Sequence, residues 1–170
     1  MSTDTDSPCP MSTKPQAEHE WLNKFVGEWT FEGECQMGPD QPPMTFSGTE
    51  GARLLGGLWV QAEAKGTMPG GGVSTSLFAV TFDPVKGAYV GTFVASVSAF
   101  LWVYEGQVDE TGTKLILNTT GPDMSGSGGT ASYRDITEFT PDGLRILTSE
   151  VQGADGGWTQ LVRMTFTRKA

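Results

Sequence analysis

The sequence predicts one all-β domain, an antiparallel up-and-down barrel of about ten strands with a short N-terminal plug helix. Three observations carry this. Apolar residues recur at every second position along most of the chain, the period of a strand with one buried face. Turn sequences interrupt that rhythm at short intervals. And 23 glycines with 10 prolines in 170 residues suit a turn-rich β protein better than a helical one.

Taken in order, residues 1–16, "MSTDTDSPCPMSTKPQ", lack a basic start and an apolar run, so they read as a disordered tail and not as a signal peptide. Residues 17–170 form the single barrel domain. Trp21, Leu22, Phe25 and Val26 fall at helical spacing and make one apolar face. Gly27 is placed to end that helix. Alternation then begins: Trp29, Phe31, Gly33, Cys35 and Met37 against Glu28, Thr30, Glu32, Glu34 and Gln36. The same rhythm predicts strands near 28–37, 44–55, 58–65, 74–83, 87–95, 100–109, 113–120, 131–139, 144–152 and 157–168.

The connections sort into two classes. Even-numbered ones are tight: Gly56-Gly57, "DPVKG", "DETG" and "TPDG", with proline or aspartate first and glycine late. Odd-numbered ones are looser: "GPDQPP", "GTMPGGG", "ASVSA", "GPDMSGSGG" and "GADGG". In a meander the two classes lie at opposite ends. The barrel is therefore expected to be closed at the tight-turn end and open at the other. The first strand starts, and the last strand "VRMTFTRK" ends, at the closed end. Trp29 should fill the floor there, with Arg168 over its ring.

A short helix, Gly-x-Trp opening the first strand, a meander barrel and an arginine ending the last strand resemble the calycin superfamily of lipocalins, fatty-acid-binding proteins and nitrobindins. A longer pattern is more specific. "HEWLNKFVGEW", "ARLLGGLWV", "FDPVKGAYVGTFV", "YRDITEF" and "MTFTRK" resemble, in order and spacing, the bacterial DUF1579 family of calycin-like proteins. The resemblance covers roughly residues 17–169. It implies the barrel fold and supplies no catalytic residues, because that family's biochemical role is unassigned. One departure is Phe93, where the family often has tryptophan in "YVGTW".

The net charge of -9 argues against nucleic-acid and anionic-membrane partners and favours neutral or cationic ligands. Two cysteines, Cys9 and Cys35, read as reduced thiols of a cytoplasmic protein. Phasing each strand by its more apolar side turns Met37, Met44, Phe46, Phe93, Phe100, Trp102, Tyr104 and Trp158 into the upper barrel, with Met68 and Met124 on mouth loops. Such walls suit an adaptable apolar cavity. Glu50, Glu150 and Gln160 share that inward phase. A buried carboxylate needs a partner, and Tyr133 and Arg134 on the eighth strand are the candidates, an inward Arg134–Glu150 pair above all.

Enzyme motifs are scarce. His19 is the single histidine and lies outside the barrel, so a Ser-His-Asp triad, a histidine-bearing zinc site and a histidine-ligated haem all lack their imidazole. No catalytic residue, metal or cofactor is expected. The expected function is binding of a small apolar or amphipathic molecule. The alternatives are an isomerase, cyclase or hydrolase using inward carboxylates, and a packed dimerisation module. Leu77, Ala79, Val90, Val94, Leu101 and Val103 are expected on the outer wall of strands four to six, an apolar strip suited to a homodimer.

Overall fold

A computed structural model of the chain describes Cys9, residues 11–36 and residues 38–170. Most of the expected tail, and Met37, lie outside the described residues. Helix α1 (Ala17–Trp21) runs into a 3-10 turn at Leu22–Phe25. Ten strands follow: β1 (Gly27–Cys35), β2 (Met44–Leu55), β3 (Trp59–Thr67), β4 (Val73–Asp83), β5 (Ala88–Ala95), β6 (Ser98–Val108), β7 (Lys114–Pro122), β8 (Thr130–Phe139), β9 (Arg145–Gln152) and β10 (Trp158–Arg168). Each pairs antiparallel with its sequence neighbours, and β1 pairs with β10, from Trp29↔Arg168 to Cys35↔Val162. The meander is thereby a closed barrel without a free edge.

A helix of five residues cannot hold itself together in water. This one is held by what it covers. Leu22 and Phe25 are buried, each worth roughly 1.5–3 kcal/mol. The tight turns and strand ends bind its polar groups. Trp21 Nε1 and Lys24 Nζ donate to the Gly112 carbonyl at 2.8 and 3.1 Å, and Tyr89 Oη donates to the Glu18 carbonyl at 2.9 Å. His19 is buried. The Gln16 N–H donates to its Nδ1, which fixes Nε2 as the protonated nitrogen, 3.0 Å from the Phe82 carbonyl. The histidine is thus a clamp on the plug, away from the barrel interior.

The break after the helix has a steric cause. Gly27 has φ 137°, and a Cβ there would lie 2.6 Å from Arg168 Nη1. That guanidinium donates to the Val26 and Lys24 carbonyls and stands 4.1 Å from the Trp29 ring. Trp29 is 1% exposed and donates from Nε1 to the Phe25 carbonyl. It packs with Phe31 and Phe166 as the floor. Beside it, Leu22, Phe25, Val60, Val80, Tyr89 and Leu115 form the solid core of the closed end. Among the described residues no helix is long and apolar enough to cross a membrane.

Candidate functional site

Above that core the barrel is hollow. A cavity of about 580 Å³ is lined from all ten strands. Phe46, Phe78, Phe93, Trp102, Tyr104 and Tyr133 supply aromatic walls, Met44 and Met164 thioether, and Met68 and Met124 the mouth. Room for the rings comes from glycine on the neighbouring strand. A Cβ on Gly121 would lie 2.2 Å from the Trp102 ring, and one on Gly33 would lie 2.4 Å from Phe46.

Among the described residues the cavity is lined by three charged ones, Glu50, Asp135 and Arg145. Arg145 opens β9 and reaches across Phe166 to Glu50 on β2. Its Nη2 stands 2.6 Å from Glu50 Oε1, and both side chains are nearly enclosed. The guanidinium also lies 3.8 Å from the Phe166 ring centroid and 4.7 Å from that of Trp29. Burial lowers the Arg145 pKa from its ordinary value, and Glu50 partly restores it. The pair forms a neutral polar layer directly over the floor.

Asp135 stands higher, on β8 between Leu117 of β7 and Ser149 of β9. Tyr104 Oη donates to its Oδ2 at 2.9 Å. Desolvation raises the carboxyl's pKa, opposed by hydrogen bonds from Ser149 and Tyr104. Desolvation, then the neighbouring carboxyl, likewise raises the Tyr104 phenol. Asp135 keeps some accessible surface, and that surface belongs to the cavity.

Of the residues expected inside, Met44, Phe46, Glu50, Phe93, Trp102, Tyr104 and Tyr133 line the cavity, as do Met68 and Met124. Phe100 does not; it packs edge-on against Trp102 at 4.8 Å between centroids. Arg134, Glu150, Trp158 and Gln160 are corrections. Tyr133 and Arg134 are sequence neighbours, so a strand must send them to opposite faces, and Tyr133 is the inward one. Arg134 does pair with Glu150, at 2.5 Å, but outside the barrel and 4.2 Å from the Trp158 ring. On β9 the inward set is Arg145, Leu147 and Ser149, so Glu150 faces out. On β10 a bulge between Gln160 and Val162 inserts Leu161, which turns Trp158 and Gln160 outward.

Arg145 and Asp135 were missed by the sequence reading because apolar phasing puts Ile146 and Ile136 inward in their place. The tightness of "TPDG" gives one usable signal, since the residue after a closed-end turn starts near the floor.

A protein-family model described as "Protein of unknown function (DUF1579)" matches residues 14–168. No curated protein matches the sequence. Among solved structures, the crystal structure of Rv2717c from M. tuberculosis superposes with a TM-score of 0.65 at 10% identity, covering 92% of this chain and 100% of that one. The S-type phycobiliprotein lyase CPES from Guillardia theta superposes with a TM-score of 0.60 at 14% identity, covering 92% and 99%. Those likenesses carry the barrel fold, and the family match carries the sequence: the chain belongs to the DUF1579 family.

Proposed function

We propose that the protein binds a small, largely apolar molecule non-covalently inside the barrel. The observation that carries this is the cavity itself. Its 580 Å³ falls within the range of about 300–1,000 Å³ usual for ligand pockets, and its lining is aromatic and methionine-rich with a few convergent polar groups. A packed dimerisation module has no use for such a space. The carboxylate-enzyme alternative loses Glu150, which faces outward, while Glu50 is occupied by Arg145. One fold neighbour is named as a lyase, at 14% identity, a likeness that carries the fold alone; Asp135, the inward carboxyl that remains, has neither histidine nor lysine beside it among the described lining residues.

The test uses N-phenylnaphthylamine, an uncharged apolar fluorophore. Trp102 lines the cavity and should transfer energy to the bound probe. Saturable binding at micromolar concentration is expected. Ala64 also lines the cavity, between Glu50 and Ser76 of the neighbouring strands, and Ala64→Phe fills the space without removing a polar group. That variant should stay folded and lose most of the binding. A wild type that takes up no probe, or a filled variant that binds as well, overturns the reading.

A further inference from the structure

The proposed ligand cavity contains a second feature that narrows its occupant. Arg145 is the single cation among the described lining residues, and Glu50 already neutralises it at the floor. The other carboxyl, Asp135, has neutral partners in Tyr104 and Ser149. Its flank on β7 is Leu117, and the cation of its own strand, Arg134, points outside to Glu150. The surroundings are aromatic. Tyr104 packs edge-on against Phe78 at 6.3 Å, and Trp102 against Tyr133 at 5.2 Å. A carboxyl among aromatic faces is the environment that receives an organic cation, by charge from one side and by ring quadrupoles from the others. The floor shows the same chemistry within the chain, with Arg145 held by Glu50, Trp29 and Phe166.

Building on the cavity reading, we propose that the ligand is a cationic amphiphile, with an apolar body in the barrel and a protonated amine at Asp135. The head stands within reach of Tyr104, Tyr133 and Trp102. A carboxylate head is disfavoured there, because the one interior guanidinium is committed and the nearest ionisable group is itself an acid. Tyr104 and Ser149 fix the Asp135 carboxyl in orientation, and two hydrogen bonds leave a carboxylate with further acceptor capacity in the cavity it lines.

The experiment compares three probes with one tail: decylamine, decanol and decanoate. Each is measured by competition against N-phenylnaphthylamine, below its critical micelle concentration. The amine should bind about tenfold or more tighter than either other head, the scale of one enclosed charge pair. In Asp135→Asn that preference, read as the ratio of amine to decanol affinity within the one variant, should fall to about one. Tyr104→Phe, which keeps the acid and removes its orienting hydroxyl, should retain part of the preference. The Asn variant separates the site from diffuse attraction to an acidic surface, because the surface charge is untouched. Equal binding of the three heads, or a preference that survives Asp135→Asn, overturns the head-group assignment and leaves the cavity reading standing. Absence of binding by all three, with no uptake of the fluorophore, overturns both.

Discussion

Arg145 and Glu50 show how much one interior contact constrains. Both side chains are nearly enclosed, and no buried side-chain nitrogen or oxygen among the described residues lacks a hydrogen-bond partner. Removing one member leaves the other enclosed without its counter-charge, which costs about 3–5 kcal/mol, whereas replacing both by apolar residues of similar size is often close to neutral. Arg145→Met and Glu50→Leu should therefore each lose about that much in urea unfolding. The double variant should lose far less than their sum. Additive losses would mean that the two side chains are stabilised by separate partners, for instance Arg145 by the rings of Phe25, Trp29 and Phe166 alone.

At the scale of elements, strand existence was legible and strand phase was not always so. All ten strands lie within a few residues of their expected positions, because period-two alternation bounded by turn chemistry is a local signal. Phase is a local signal only while the inner face is the more apolar one. On β1 it is, and Trp29, Phe31 and Gly33 point inward as read. On β8 and β9 the inward positions are Tyr133, Asp135, Thr137, Arg145, Leu147 and Ser149, all but one of them polar. The isoleucines 136 and 146 take the other face, opposite Thr148 and Thr165, and Ile146 is buried there among its cross-strand neighbours. β10 fails for another reason: one inserted residue, Leu161, reverses the faces above the bulge, and nothing in "WTQLVRM" announces it. The seam between β6 and β7 is equally silent in sequence. Their ladder runs from Glu105↔Asn118 to Val108↔Leu115, and above it Thr119 Oγ1 donates to the Val103 carbonyl. The Trp102 ring closes that gap over Gly121.

At the scale of the whole molecule, an apolar strip lies on the outer wall and an acid without a cationic partner, Asp135, lies inside. Leu77, Val94, Leu101 and Val103 are exposed by 38–59% on the outer wall of β4, β5 and β6, and Leu77 lies directly opposite Val94. We propose that a second copy covers them, so light scattering at micromolar concentration should give a dimer that Val94→Lys with Leu101→Lys converts to a soluble monomer; a monomeric wild type would sink the idea. The interior acid sets the pH dependence. Asp135 has a folded-state pKa raised above its ordinary value of 3.8 by desolvation, against the hydrogen bonds of Ser149 and Tyr104. A raised acid binds its proton more tightly when folded. Stability is then fully present below the unfolded value and is lost as pH rises through the folded one. The empty barrel is penalised at neutral pH by the residue proposed to hold the ligand. Asp135→Asn keeps the acceptor for Tyr104 and removes the titration. It should raise unfolding stability at neutral pH, with the gain shrinking as the pH falls toward ~4. Urea midpoints across that range measure it. An Asp135 retained for packing alone would give the opposite sign, a variant less stable at neutral pH. If Asp135 both costs stability in the empty barrel and holds the amine in the filled one, gain of stability and loss of amine selectivity should appear in the same variant.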